Sequence, residues 1–318
     1  MNLTITSLTP ERLGEVAALA RGCDLGVRLD EAWLRRLTLD DPTCLPELLL
    51  VAESGGALVG FCFGALREGR GVVKVFGVDP RRRRQGIATA LLSALEERLC
   101  SLGAADVRVG AVAPNYMLPG VELTHTDAIA FLSRRGYQTD RNAHVDMAVS
   151  LHRVDLDTRQ ATRRLGDEGI VIKRADGDEI AVTAAIARET FSATWEAEVS
   201  EAARFDPPPL FIAIDARSGG RSGGRDGGRD GGRVVSFAAY DVTGPGRFGP
   251  TGTDPAYRQR GIGGVLLKEC LRSLRDRGEV MAEIGWAGPI GFYARAVDAR
   301  IHRAYWGFSK ALAGAGQT

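Results

Sequence analysis

A mixed α/β fold, built as two tandem domains, is predicted by three features of this chain. One phrase is written twice: Val78-Asp79-Pro80-Arg81-Arg82-Arg83-Arg84-Gln85-Gly86-Ile87-Ala88 with Leu91-Leu92 behind it, then Thr253-Asp254-Pro255-Ala256-Tyr257-Arg258-Gln259-Arg260-Gly261-Ile262-Gly263 with Leu266-Leu267. Proline, arginine, glycine and the small residue recur at one constant offset, which marks a duplicated module. The first copy lies where the apolar run 72–78 gives way to a helical period. A length of 318 residues with 44% hydrophobic and 25% charged residues is enough for two ordinary cores.

The first half opens with Leu3–Thr6 alternating as a short strand. Thr9 and Pro10 then give an N-cap and first-turn signal for a helix through Ala20. The runs 48–52, 57–65 and 72–78 read as three strands separated by the turns Ser54-Gly55-Gly56 and Gly69-Arg70-Gly71, an antiparallel meander. From Gly86 to Cys100, Ile87, Leu91, Ala94 and Leu95 share a helical face. A strand at 107–112, a short helix at 128–135 ended by Gly136, and closing strands up to Leu151 complete the unit. The plan then restarts: strand 170–173, helix 179–191, strands 210–214 and 234–242, helix 261–277 and strand 280–286. Each domain is expected to hold a mostly antiparallel central sheet flanked by helices on both faces. The expected division is residues 1–151, a linker at 152–167, where four arginines interrupt any apolar period, and residues 168–318. Within the second domain, residues 217–232 repeat Gly-Gly-Arg with Ser or Asp, a composition that buries no core and reads as a disordered hairpin loop.

A net charge of +1 removes any global basic field, so neither nucleic acid nor an anionic membrane is the expected partner, and any anion site must be local. The tract at 217–232 has no aromatic residue, and Asp226 and Asp230 offset its arginines. It is read as a linker rather than an RNA-binding segment. The five cysteines form no CxxC pair and are odd in number, against both a zinc cluster and a disulfide framework. No metal is expected. With no signal-peptide pattern at Met1–Thr6 and no membrane-length apolar run, a cytoplasmic protein is expected.

The repeated phrase carries chemistry. A strand ending at proline, followed by a glycine turn that opens a helix, leaves several backbone N–H groups unpaired and converging at a helix N-terminus, where phosphate binds. Gly86 and Gly261 allow the tight turn. Ala88 and Gly263 leave room for an anion, and Arg83 and Arg258 brace the loop or reach a phosphate oxygen. A dinucleotide fold is disfavoured because Leu266 stands where a third glycine would be needed.

These residues resemble the signature of the GNAT superfamily of acyl-CoA-dependent N-acetyltransferases: Arg or Gln, two residues, Gly, any residue, then Gly or Ala, met by Arg83–Ala88 and Arg258–Gly263. The likeness covers nearly the whole chain as tandem domains. It implies acetyl-CoA as acyl donor, held by Phe76, Val78, Arg83, Arg84, Gly86, Ala88 and Thr89 in the first domain and by Thr251, Thr253, Arg258, Gln259, Gly261, Gly263 and Gly264 in the second. The strand-end residues Phe76, Val78, Thr251 and Thr253 would pair their backbone with the pantetheine arm. The family often uses a tyrosine to protonate the leaving thiolate. Alignment puts Leu132 at that place in the first domain and Tyr293 in the second, so the resemblance implies a catalytic second domain with Tyr293 as general acid. Glu283 is the base candidate there; Glu122 and His125 are its counterparts in the first domain.

The expected reaction moves an acetyl group to a primary amine of a small molecule, by a monomer or homodimer. A non-catalytic acyl-CoA sensor is the alternative. The longer loop at 114–124 is the expected acceptor lid, replaced by Trp286-Ala287-Gly288-Pro289 in the second domain.

Overall fold

The computed structural model describes residues 2–312, except 24, 27, 28, 42, 111–114, 140 and 219–231. The Gly/Arg tract therefore lies almost wholly outside the described residues, as does the start of the 114–124 loop. The chain forms two compact units: residues 1–144 with 304–318, and residues 145–303.

The first unit runs β1 (Thr4–Ser7), α1 (Leu13–Gly22), α2 (Glu31–Leu37), β2 (Leu49–Ser54), β3 (Ala57–Arg67), β4 (Arg70–Val78), α3 (Ile87–Ser101), β5 (Asp106–Val109), β6 (Val121–Glu122) and α4 (Thr126–Arg134). β1 to β4 pair antiparallel in order, and β5 joins β4 in parallel. Asp30 caps α2 by accepting the Trp33 N–H at 2.7 Å. Helices cover both faces. α1 and α2 pack Leu13, Val16, Leu34 and Leu37 against Phe61 and Phe63, while α3 and α4 pack Leu91, Leu95 and Leu132 against Cys62 and Val73.

The second unit repeats the plan after β7 (Ala143–Ser150) and α5 (Arg159–Asp167). It has β8 (Ile170–Arg174), α6 (Gly177–Thr190), α7 (Ala193–Ser200), β9 (Leu210–Asp215), β10 (Arg233–Tyr240), β11 (Arg247–Thr253), α8 (Ile262–Asp276), β12 (Met281–Ile284) and α9 (Ile290–Val297). β8 to β11 are antiparallel neighbours and β12 joins β11 in parallel. α6 begins with a capping box in which Asp176 and Glu179 satisfy each other's backbone N–H. α6 and α7 cover one sheet face, α8 and α9 the other.

Two expectations about the division are corrected. Residues 152–167 are not a bare linker: 159–167 form α5, whose Leu165 is fully buried in the second core. Nor does the first sheet close on its own strand. β7 pairs with β12, from Ser150↔Met281 to Met147↔Ile284, and buries Met147 and Val149 in the second core. The last strands, β13 (Arg300–Trp306) and β14 (Phe308–Ala311), carry the chain back. β14 pairs with β5 from Phe308↔Val109 to Ala311↔Asp106 and buries Phe308 in the first core. Lys310 reaches Glu96 of α3 at 2.8 Å and fastens the returning strand. The first unit thus takes its closing strand from far along the sequence, while β7, which directly precedes α5, closes the second. Alternation shows which face of a strand is apolar but not which sheet edge it joins.

Candidate active site

In both units a parallel strand pair meets at one end and then parts. β4 pairs with β5 only from Gly71↔Val107 to Val73↔Val109, and runs on to Val78 alone on that side. β11 pairs with β12 only at Arg247↔Glu283 and Phe248↔Ile284, and runs on to Thr253. The other edge of each strand stays paired, with Asp79 N–H donating to Val59 O and Asp254 N–H to Val235 O. Backbone groups alternate sides along a strand, so this register turns those of Phe76 and Val78, and of Thr251 and Thr253, into the opening. The four strand-end residues expected to meet a pantetheine arm occupy equivalent places.

The turns that follow are near-copies. Asp79 Oδ1 accepts the Arg81 N–H at 2.9 Å and Asp254 Oδ1 accepts the Ala256 N–H at 2.8 Å. Arg84 and Gln259 lie at φ of 63° and 62°, and Gly86 and Gly261, the N-caps of α3 and α8, at 83° and 85°. Left-handed backbone at the glycines is why a side chain there is costly. The first helical hydrogen bonds are Ala90 N–H to Gly86 O and Val265 N–H to Gly261 O, so the N–H groups before them are free of helical partners. A Cβ at Gly86 or Gly264 would meet nothing within 4 Å, and at Gly263 only Thr253 Oγ1 and Phe292 beyond 3.4 Å. Ala88 is half-buried and Thr89 exposed on the first turn of α3. These turns leave backbone donors facing open space at a helix N-terminus, the kind of place that attracts an anion.

The arginines of the two turns differ in use. Arg83 donates to Cys23 O at 3.2 Å, tying its turn to the end of α1, and the Cys23 thiol in turn meets Val78 O at 3.5 Å. Arg258 Nε donates to Thr253 O at 3.2 Å, bracing its own turn. The second turn has a further support that the sequence reading missed. Arg164 of α5 donates to Arg260 O at 2.6 Å, and Glu168 pairs with both Arg164 and Arg260 at 2.7 Å. The i,i+4 spacing of Arg164 and Glu168 was the available signal, hidden by reading that segment as a linker.

At the point where β11 and β12 part, the Tyr293 ring packs edge-on to Phe248, with centroids 6.1 Å apart, and to Phe292 at 5.1 Å. Tyr293 is 5% exposed and burial pushes its phenol up to about 12. The matching residue of the first unit, Leu132, is fully buried and carries no proton to give. Glu283 is ion-paired, to Arg247 at 2.9 Å and Arg303 at 3.6 Å. Arg247 also donates to Asp146, a fully buried carboxylate of β7 that accepts the Trp286 N–H at 2.7 Å. Trp286 is 36% exposed at φ 46°, and its backbone N–H ties the loop entering α9 to Asp146. Asp146 also escaped sequence reading, because its partner strand was assigned to the other unit.

The first unit carries a buried cation at the bulge of its splayed strand. Its register slips between Phe63↔Val75 and Gly64↔Val73, so Lys74 bulges from the ladder. Lys74 is 4% exposed and its ammonium donates to Asp41 at 2.8 Å and to Leu37 O, while Arg67 reaches the same carboxylate at 2.9 Å. In the second unit the slip falls between Ala238↔Thr251 and Tyr240↔Phe248, and the bulge is Gly249-Pro250.

Tandem splayed sheets, each ending in a Pro–Arg–Gly turn at a helix N-terminus, define the class of acyl-CoA-dependent transferases. The chain belongs to the GNAT acetyltransferase family: the family described as "Acetyltransferase (GNAT) family" matches residues 18–137. An acetyltransferase of Photorhabdus laumondii is 34% identical over 129 residues, 38% of this chain and 87% of that protein. A tandem GNAT protein from the clavulanic acid biosynthesis pathway shares the fold with TM-score 0.70 and 19% identity, covering all of both chains. The glucosamine N-acetyltransferase region of a fungal multi-domain β-N-acetylglucosaminidase gives TM-score 0.71 at 20% identity, covering 97% of this chain and 38% of that one. Among the described residues no helix is long and apolar enough to cross a membrane, and no group of His, Cys, Asp or Glu is arranged to hold a metal ion.

Proposed function

We propose that the chain transfers an acetyl group from acetyl-CoA to a primary amine of a small molecule in the cytoplasm, and that the second unit performs the chemistry. The observation that carries this reading is Tyr293. It is a protonated, nearly buried phenol beside the opening of the splayed strands, at a place where the first unit has only Leu132. Acetyl-CoA supplies the activated thioester. Thr251 and Thr253 offer backbone partners to its arm, and the N–H groups around Gly261, Gly263 and Gly264 face its pyrophosphate. Arg258 and Gln259 shape the turn, and Tyr293 delivers a proton to the departing sulfur. Glu283 keeps a supporting part, holding Arg247 at the crotch. In the first unit, Phe76, Val78, Arg83, Arg84, Gly86, Ala88 and Thr89 form a second acyl-CoA cradle without an acid.

Glutamate at Gly261 would put an L-residue at φ 85°, a Cβ 3.1 Å from Arg164 Nη2 and a negative charge in the anion cradle. Isothermal titration of acetyl-CoA is expected to lose one binding site per chain in Gly261→Glu, with the site reported by Gly86→Glu retained. Wild-type stoichiometry and affinity in Gly261→Glu would remove the second turn from cofactor binding. An acyl-CoA sensor is the competing reading, favoured by the ion-paired state of Glu283. Thiol release with glucosamine, spermidine, amino acids or aminoglycosides decides against it.

A further inference from the structure

We propose that Glu198 of α7 is the proton acceptor for the amine substrate, placed on the sheet face opposite Tyr293 at the point where β11 leaves β12. This inference rests on the acetyltransferase reading given above.

The placement follows from three contacts along β11. Phe191, at the end of α6, stands over Gly252, where an added Cβ would lie 2.5 Å from its ring. One turn into α7, Trp195 packs on Phe191 at 4.7 Å and edge-on to Phe237 at 6.1 Å. Glu198 follows at i+3, on the same face of the helix as Trp195, and the charge of Arg247 at the start of β11 acts on it. The line from Phe191 to Glu198 therefore runs down β11 from the phosphate end to the crotch. Tyr293 meets Phe248, the neighbour of Arg247, from the face covered by α8 and α9. Acid and base thus flank the opening from its two sides.

Glu198 is 7% exposed, and among the described residues its carboxyl makes no hydrogen bond or ion pair. Buried carboxylates without partners are costly. The charges on the elements packed against α7 are engaged elsewhere: Arg188 of α6 with Glu196, Glu179 of α6 with Lys173, Arg204 with Glu201 in the turn after α7, and Arg247 of β11 with Asp146 and Glu283. Burial pushes Glu198 up to about 7, against the pull of Arg247. A carboxyl held there accepts and releases a proton near neutrality. Glu283, ion-paired to two guanidiniums, has no comparable freedom.

The steps balance. Glu198 takes one proton from the ammonium, freeing the nitrogen lone pair. That nitrogen bonds to the acyl carbon as the carbon–sulfur bond breaks. Tyr293 gives its proton to the sulfur and regains one from the new amide nitrogen, and Glu198 releases its proton to solvent.

The test has two parts. Infrared difference titration of wild type minus Glu198→Gln is expected to show a protonated-carboxyl band that disappears with a midpoint near pH 7, within about one unit. Glu198→Gln is then expected to bind acetyl-CoA as wild type does. With the best amine of the glucosamine, spermidine, amino-acid and aminoglycoside panel, it should lose about 10²–10⁴-fold in kcat and the rising limb of its pH profile. A midpoint at an ordinary carboxylate value, or a Glu198→Gln rate and pH profile like wild type, overturns the assignment. If wild type itself releases no thiol with any of these amines, that counts against the acetyltransferase reading, and the infrared midpoint still decides whether Glu198 is a neutral-pH proton acceptor.

Discussion

Replacing Tyr293 with phenylalanine is expected to lower kcat by about 10²–10⁴-fold, the usual worth of a positioned general acid, while acetyl-CoA affinity is unchanged. The ring contacts with Phe248 and Phe292 survive in Phe, so the variant removes one hydroxyl and leaves the packing. Because burial holds the phenol near 12, it remains protonated throughout the working range of the enzyme and contributes no falling limb near neutrality. Steady-state kinetics of thiol release, paired with titration calorimetry of acetyl-CoA, check both halves of the statement. A Tyr293→Phe enzyme with wild-type kcat would take the phenol out of the mechanism.

The second large effect lies in the first unit. Asp41→Ala is expected to destabilise the protein by about 3–5 kcal/mol, because it leaves Lys74 and Arg67 as buried, uncompensated charges. Denaturant unfolding followed by tryptophan fluorescence measures it. Burial alone would raise the Asp41 carboxyl, yet Lys74 and the hydrogen bonds from Thr43 hold it down at about 2, below the ordinary 3.8. A carboxyl depressed on folding contributes stability that is fully present above its unfolded value and fades as pH falls through the folded one. Wild type should therefore lose this part of its stability between about pH 4 and pH 2, and Asp41→Ala should not show that loss. Equal unfolding midpoints for the two proteins at neutral pH would show that the network is not a stabilising plug.

The helices and meanders were legible because their signals are local: an apolar face from Ile87 to Leu99, and glycine turns between β-branched runs. The paired glycine turns were legible as turns because the duplication isolates their residues, and both sit at their helix starts with matching dihedrals. Lys74, Glu198 and Asp146 were not legible. Each is an ordinary polar residue in the sequence, and its meaning comes from burial and from a partner distant along the chain. Lys74 meets Asp41, Asp146 meets Arg247, and Glu198 of α7 is buried within reach of the Arg247 charge. Charge pattern shows which residues titrate, but not which ones the fold desolvates.

The return of β14 to the first sheet has a consequence for how the protein is made. Synthesis is vectorial, and domains ordinarily condense in the order in which they leave the ribosome. Here the edge of β5 has no partner until residues 308–311, about two hundred residues further along the chain, are available. β7, made early, waits for β12. Neither half can finish alone. A chain cut at residue 151 would expose the β5 edge and an unclaimed β7, two open strands that invite aggregation. Expressing residues 1–151 should give insoluble protein, with co-expression of residues 152–318 restoring it to the soluble fraction. The duplication that gave each half its own glycine turn has thus been followed by a chain path in which the first unit is completed only after the second has been made.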